Sequence, residues 1–121
     1  MVTMNNKTLG RQGEDAAAEY LTRKGYRIIA RNYRVPRGEI DIVAQTSDTI
    51  VFVEVKTRRS ENYGRPAAAV DYRKQAKIIG AAQWFLRQRQ LEGWLCRFDV
   101  IEVYAGPEKW HVRHLPAAFE M

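Results

Sequence analysis

The segment 49–57 constrains the fold of this chain more strongly than any other part of it. Valine and phenylalanine dominate the segment, and side chains alternate between the two faces of a strand. One face would carry Val51, Val53, Val55 and Thr57, and the other Ile50, Phe52, Glu54 and Lys56. The segment therefore predicts a strand that is apolar on both faces apart from Glu54 and Lys56. Charges inside such a strand are costly unless something compensates them.

The rest of the chain alternates between helical and strand patterns. Small and apolar residues recur at helical spacing over 8–24, and Gly25 is a suitable C-terminal cap. The other predicted elements are strands over 26–33, 39–45 and 49–57, a helix over 67–89, and a closing hairpin of 97–104 and 109–115. This order predicts an α/β fold, a sandwich with a mixed central β-sheet flanked by α-helices.

Two local patterns bear on a possible site. The strand 39–45 alternates, so that Ile40, Ile42 and Ala44 would share one face and Glu39, Asp41 and Val43 the other. The polar stretch 58–66 ends in Gly-Arg-Pro, which indicates a mobile basic loop leading into the second helix. Loops of this kind often contact substrate.

Length and composition indicate one ordinary globular domain. The chain has 121 residues, of which 45% are hydrophobic and 28% charged. We expect a single domain over 1–121, with short tails at 1–7 and 116–121. The one cysteine, Cys96, excludes an intramolecular disulfide, and no stretch resembles a secretion signal or a membrane span. These features predict a cytoplasmic protein without a membrane partner.

Positive charge is concentrated in one part of the chain. Between Lys56 and Arg89, nine Lys or Arg accompany two acids, so this segment carries +7 while the whole chain carries +6. A concentrated positive field favours a polyanion such as nucleic acid, although a solvated basic surface would have the same composition. The predicted nucleic-acid contacts are Arg58, Arg59, Arg65, Arg73, Lys74 and Lys77.

The hairpin of strands 39–45 and 49–57 brings charged residues together. Antiparallel pairing across the turn at 46–48 places Asp41 beside Glu54, and Lys56 projects from the same face about 7 Å farther along. On an arbitrary hairpin, two acids and a lysine would form a solvated patch. Here the apolar surroundings favour a metal site, because hard carboxylate oxygens suit Mg²⁺. Lys56 would then stabilise the transition state of phosphodiester hydrolysis or position the attacking water.

These residues belong to a longer set of motifs. Asp41 and Glu54, thirteen residues apart, with the triplet Glu54-Val55-Lys56, resemble the motif of the PD-(D/E)xK nuclease superfamily. Further motifs resemble the YraN-like family of small uncharacterised bacterial proteins, which is similar to archaeal Holliday-junction resolvases. They are Gly13-Glu14, Gly38-Glu39-Ile40-Asp41, the strand segment 51–58, Lys74, and Arg97-Phe98-Asp99-Val100. The resemblance extends over about residues 7–103.

The resemblance implies a restriction-endonuclease-like fold and a DNA endonuclease that depends on Mg²⁺ or Mn²⁺ and acts on branched or junction DNA. It implies Asp41, Glu54, Lys56 and Glu14 as catalytic residues, and Asp41, Glu54 and Glu14 as metal ligands. Similarity to the resolvases also implies a homodimer. Ile79 stands four residues after Gln75, where exonuclease-type members have tyrosine, and no proline precedes Asp41. Exonuclease activity is therefore not expected.

Two other functions remain open at the level of sequence. A non-catalytic nucleic-acid-binding or scaffold protein would keep the same fold and basic segment, and an RNA-binding protein would use the same charges. Divalent-ion binding through Asp41 and Glu54 separates the enzyme from the first alternative. Competition between DNA and RNA at matched salt tests the second.

Several aromatic and titratable residues lie outside these motifs or have a structural interpretation. His111 and His114 are three apart on a predicted strand and would face opposite sides, which argues against a shared zinc ion. Asp99 is typical of a buried structural acid. Trp84, beside the apolar stripe of the second helix, would either stack on bases or lie in a dimer interface.

Overall fold

The computed structural model describes residues 6–59 and 69–121 and has its regular elements in the predicted order. They are α1 (Asn6–Arg23), β1 (Arg27–Val35), β2 (Gly38–Thr46), β3 (Thr49–Arg59), α2 (Tyr72–Gln88), β4 (Leu95–Ala105) and β5 (His111–Phe119). The predicted succession of helix, three strands, helix and two strands is confirmed. Within the described ranges, no helix has the length and apolar character needed to cross a membrane.

The five strands form one mixed sheet in the order β1-β2-β3-β4-β5. Neighbouring strands are antiparallel except β3 and β4, which are parallel from the pair Thr49–Leu95 to the pair Arg59–Ala105. A tight turn cannot join parallel strands, so the chain crosses from β3 to β4 through α2. In the five-strand order, β3 is the middle strand of the sheet.

A helix covers each face of this sheet. On one face, Phe85 of α2 packs in a core with Phe52 of β3, their rings edge to face at 5.9 Å between centroids. On the other face, Leu21 of α1 packs in a second core with Val51 of β3. The predicted α/β sandwich, a mixed sheet flanked by helices, is confirmed and is consistent with a restriction-endonuclease-like fold.

Strands β3 and β5 are longer than predicted. β3 continues to Arg59 because its parallel pairing with β4 continues to that point, so Arg58 and Arg59 are strand residues and do not begin a loop. β5 continues to Phe119, which packs in the core beneath α2, and so includes part of the expected C-terminal tail. The rest of the predicted basic loop falls within 60–68, outside the described residues.

Helix α2 starts later than predicted. Its first residue is Tyr72, because the Asp71 side chain accepts a hydrogen bond from the Lys74 backbone amide at 2.9 Å and so caps the helix. The predicted start at 67 lies outside the described residues, while 69–71 are not helical. The cap places Lys74 in the first turn of α2.

The alternation predicted for β2 is wrong at Asp41. Ile40 packs in the core beneath α2 together with Val43, whereas Ile42 packs in the core beneath α1. The β1–β2 pairing omits Asp41 and its opposite residue Asn32, whose φ of 52° is left-handed. The left-handed backbone of Asn32 interrupts the regular pleat of β1 opposite Asp41, at the point where β2 exchanges faces.

Helix α1 packs tightly against β3 at Gly13. A Cβ atom at this position would lie 2.0 Å from Thr57 Oγ1 and 3.1 Å from Thr57 Cβ. Only glycine allows the helix and the strand to lie this close together. The contact holds the next residue, Glu14, against the sheet.

Replacing Gly13 with alanine should lower the free energy of unfolding by about 1–3 kcal/mol, because the added methyl group overpacks against Thr57. Gly10→Ala in the same helix is the matched control. A Cβ at Gly10 meets nothing within 4 Å, so this variant should gain about 0.5–1 kcal/mol from helix propensity. Urea denaturation measures both, and equal stabilisation of the two variants would contradict the close contact.

Candidate functional site

Asp41 is anchored at the end of the β2–β3 ladder. The last paired residues are Ile42 and Val53, and beyond them Asp41 Oδ2 accepts a hydrogen bond from the Val55 backbone amide at 2.7 Å. Burial of the side chain raises the pKa of the Asp41 carboxyl above its usual value, although the hydrogen bond from Val55 opposes this change. The anchor holds Asp41 next to the chain neighbour of Val55, Glu54.

Glu54 is the second acid of the site. Its side chain is 13% exposed, and its Oε2 lies 3.8 Å from Lys74 Nζ, which is beyond hydrogen-bond distance. Burial and then the nearby charge of Asp41 raise the pKa of Glu54 to about 7, although Lys74 and Lys56 lower it. Asp41 and Glu54 therefore lie together in a largely buried patch, where the nearby lysines do not fully offset their negative charge.

Glu14 reaches the same corner of the sheet from α1. Burial has the largest effect on it and the charge of Asp41 the next largest, and both raise the pKa of the Glu14 carboxyl. The charge of Arg31 and a hydrogen bond with the Asn32 side chain act in the opposite direction. The structure therefore places Glu14 close enough to Asp41 for their charges to interact, while Glu14 has no such interaction with Glu54 among the causes of its raised pKa.

Two lysines border these acids. Lys56 lies two residues after Glu54 on β3 and so projects from the same face. Lys74 approaches from the first turn of α2, with 45% of its side chain exposed. Sequence reasoning placed Lys74 among the nucleic-acid contacts but not beside Glu54, because that proximity depends on how α2 packs over β3.

Asn32 is a site residue that sequence reasoning missed. Its left-handed backbone lies opposite Asp41, and its side chain hydrogen-bonds with Glu14. The one available signal was its residue type, because asparagine adopts positive φ more readily than most residues. That signal is weak in a segment that otherwise has a strand pattern.

Asp99 shows what full compensation of a buried acid looks like. It accepts two hydrogen bonds from Arg97 at 2.8 Å and one from the Ala117 amide at 3.0 Å, and its Oδ2 lies 2.7 Å from His114 Nε2. Burial alone would raise the pKa of Asp99, but the contacts with His114 and Arg97 outweigh it and hold the pKa below its usual value. As predicted, Asp99 is a buried acid whose carboxylate is fully hydrogen-bonded.

Glu102 is a second compensated acid. Its carboxylate lies 3.3 Å from Arg58 Nε and 3.4 Å from Arg113 Nε, and accepts a hydrogen bond from the Tyr104 hydroxyl at 3.1 Å. By contrast, neither Asp41 nor Glu54 has an arginine or histidine partner among the described residues. Within the described ranges, the site acids are therefore less fully compensated than Asp99 and Glu102.

The predicted nucleic-acid contacts are placed differently from one another. The Arg58 guanidinium forms an ion pair with the buried carboxylate of Glu102. Arg59 is exposed at the end of β3, and Arg73 and Lys77 are exposed on α2. Arg65 lies outside the described residues. Among the described residues, the exposed cations near the acids are therefore chiefly those of α2.

The site residues suit a divalent cation in their donor chemistry. Carboxylate oxygens are the ligands that Mg²⁺ prefers, and Mg²⁺ is often held by one or two carboxylates while keeping water in its other positions. Asp41 and Glu54 would hold the ion, with Glu14 as a further acid nearby. As placed, the described residues contain no group of three Asp, Glu, His or Cys side chains able to enclose a metal ion. Such an ion would supply Lewis-acid activation of a phosphodiester and of water.

Comparison with known proteins gives a family match over most of the chain. The model of "Uncharacterised protein family UPF0102" matches residues 13–103. Two UPF0102 proteins are similar over nearly their full lengths. The relative from Caldanaerobacter subterraneus subsp. tengcongensis is 47% identical over 98% of this chain and 100% of its own length, and that from Syntrophotalea carbinolica is 48% identical over 99% and 98%. The YraN-like assignment made from the motifs is confirmed.

Replacing Glu54 with glutamine should stabilise the metal-free protein near neutral pH. The folded-state pKa of about 7 exceeds the ordinary value of 4.5, so ionisation of Glu54 destabilises the fold. That cost is absent below the ordinary pKa, grows as pH rises to about 7 and is complete above it. We expect Glu54→Gln to gain about 1–3 kcal/mol near pH 8 and almost nothing near pH 4.

Urea denaturation in EDTA at the two pH values tests this expectation. Glu92→Gln, a change at an exposed position, is the control and should leave the free energy of unfolding unchanged. A loss of stability in Glu54→Gln at both pH values would show that the Glu54 carboxylate is already compensated within the fold.

Replacing Asp99 with asparagine should destabilise the protein near neutral pH, the opposite of the effect expected for Glu54→Gln. The lowered pKa of Asp99 means that its ionised form stabilises the fold above the ordinary pKa and that this contribution is lost as pH falls. Removing the charge leaves the partly buried Arg97 guanidinium without its anionic partner, which should cost about 3–5 kcal/mol near neutral pH. The same urea titrations report this value, and wild-type stability in Asp99→Asn would contradict the structural role.

Proposed function

We propose that this chain, which belongs to the uncharacterised protein family UPF0102, is a divalent-metal-dependent DNA endonuclease that hydrolyses phosphodiester bonds in branched or junction DNA. The resemblance of Asp41, Glu54 and Lys56 to the PD-(D/E)xK motif supports this reaction. The confirmed sandwich architecture, in which these residues come from two neighbouring strands, is consistent with it.

The difference between the buried acids is the observation that carries the proposal. Asp99 and Glu102 have arginine partners, whereas burial raises the pKa of both Asp41 and Glu54, and the charge of Asp41 raises that of Glu54 further. Such an arrangement weakens the fold unless a positively charged ligand is bound, and perturbed carboxyls of this kind concentrate at functional sites. A divalent cation and a phosphodiester substrate would together use this arrangement.

Each site residue has a proposed role that follows from its position. Asp41, held by the Val55 amide, and Glu54, beside it, bind the cation. Lys56 stabilises the negative charge that builds on the phosphate in the transition state. Glu14, whose pKa is raised, holds a proton more tightly than an ordinary glutamate and orients water at the site.

The proposed partner is DNA, contacted by the exposed cations of α2, Arg73, Lys74 and Lys77, which would bind phosphates. Similarity to the resolvases supports a homodimer, because two strands of a junction must be met symmetrically. Light scattering at micromolar concentration tests that state. The proposed compartment is the cytoplasm, where the lone Cys96 remains a free thiol.

Cleavage assays test the enzymatic proposal. Wild-type protein with Mg²⁺ or Mn²⁺ should cut labelled four-way junction or flap DNA, and Asp41→Asn and Glu54→Gln should remove all detectable cutting. Lys56→Ala should reduce the rate by about 10²–10³-fold, as expected when a group that stabilises transition-state charge is lost. Glu108→Gln, on the turn between β4 and β5, is the control and should cut at the wild-type rate.

Calorimetry separates this enzyme from a non-catalytic DNA-binding protein. Binding of Mn²⁺ that disappears in Asp41→Asn supports the proposal. Cleavage that persists in purified Asp41→Asn would place the chemistry elsewhere or in a contaminant. If no divalent ion binds while branched DNA is retained, DNA binding without catalysis becomes the function, and preferential retention of RNA at matched salt would replace DNA as the substrate.

A further inference from the structure

A groove runs along α2 beside the turn that joins β1 to β2. It consists of two depressions that share residues 35–37. One, of about 350 Å³, is bordered by Glu39 and Lys74, and the other, of about 290 Å³, by Trp84 and Arg87. We refer to these two depressions together as the α2 groove. It begins beside the candidate site and leads away from it along the helix.

Gly38 determines how closely α2 lies against this turn. A Cβ atom at Gly38 would be 2.5 Å from the backbone carbonyl oxygen of Lys77, which a backbone group cannot avoid by changing rotamer. At this point the β1–β2 turn and α2 are packed backbone on backbone, which fixes the position of the helix beside the groove.

The groove carries cations without acidic partners. Arg37, Lys77 and Arg87 are exposed, and within the part of the chain that the structure describes they form no ion pair. Glu39, at the end nearest the site, is paired with Arg34 at 3.4 Å. An unpaired row of cations attracts a chain of phosphates.

Trp84 lies at the end of the groove away from the site. It is 46% exposed although its neighbour Phe85 is fully buried, so the core of α2 does not use it. The guanidinium carbon of Arg87 lies 6.0 Å from the Trp84 ring centroid. An exposed aromatic ring among cations is the usual arrangement for stacking on unpaired bases.

We propose that the α2 groove binds the DNA strand that leads away from the scissile phosphate and that Trp84 stacks on an unpaired base of that strand. The inference rests on the proposed function and specifies its substrate. Bases inside a duplex are stacked on one another and offer no free face, so Trp84 requires an unpaired segment. The preferred substrate is therefore a flap, overhang or opened junction arm, in place of continuous duplex.

The length of the groove sets the distance between the unpaired base and the cut. Lys74 and Trp84 are ten residues apart on α2, which corresponds to about 15 Å along the helix. A stacked strand advances about 3.4 Å per nucleotide. Cleavage should therefore occur within about four nucleotides of the unpaired base.

Binding measured in EDTA tests the inference without any cleavage. Fluorescence anisotropy compares the full chain with Trp84→Leu and Trp84→Phe on flap DNA, single-stranded-overhang DNA and blunt duplex. Trp84→Leu should bind flap and overhang DNA about tenfold or more weakly, because each stacked base contributes strongly to affinity. Its affinity for blunt duplex should be unchanged, and Trp84→Phe should keep most of the flap affinity.

Trp94→Leu is the matched control. Trp94 is also exposed, at 39%, but lies beside Asp48 at the turn between β2 and β3. Its removal should leave all affinities unchanged. Equal weakening of flap and duplex binding by Trp84→Leu, or no weakening of either, would overturn the inference. Conversion of a dimer to a monomer by Trp84→Leu in sedimentation would also overturn it, because a second copy of the chain would then cover Trp84.

The two proposals fail in distinguishable ways. If the wild-type protein cleaves no DNA but prefers flap to duplex through Trp84, the endonuclease proposal fails and the groove assignment stands. If the protein cleaves DNA while Trp84→Leu binds every substrate as the wild type does, the groove assignment fails and the endonuclease proposal stands.

Discussion

The packing of one helix on each face of β3 is the constraint on which the rest of this structure depends. With β2 and β4 as its neighbours and α1 and α2 above and below, β3 is almost completely buried over residues 50–53. A charge that follows on the same strand must be compensated locally. Glu54, the first charged residue after this buried stretch, is only partly compensated by the lysines near it.

This fold handles its buried acids in two ways. Asp99 and Glu102, both on β4, are surrounded by arginine, histidine, tyrosine or amide donors, so their charge is balanced inside the protein. Within the described part of the chain, Asp41 accepts one backbone amide hydrogen bond, and Glu54 has Lys74 and Lys56 nearby without a hydrogen bond to either. Among the described residues, the charges of Asp41 and Glu54 are therefore less completely balanced than those of Asp99 and Glu102.

The irregular backbone at Asn32 lies opposite Asp41 and affects how this site acid is positioned. Because β1 and β2 lose regular pairing there, Asp41 is released from the ladder and its carboxylate reaches Val55 on β3. The same region of β2 contains Gly38, which allows α2 to lie close enough for Lys74 to approach Glu54. One disturbed stretch of β2 therefore shapes both the acidic site and the groove that leads from it.

The sequence by itself determined the order of the elements, the sandwich, and the neighbourhood of Asp41, Glu54 and Lys56, because strand periodicity and one hairpin are local properties. It did not reveal that Ile40 and Ile42 face opposite cores, that α2 begins at Tyr72, or that Arg58 is bound to Glu102. Only the tertiary structure decided which acids are compensated and where Lys74 and Trp84 lie relative to the site. Those outcomes depend on contacts between elements distant in the chain, and no local pattern encodes the distance between such elements.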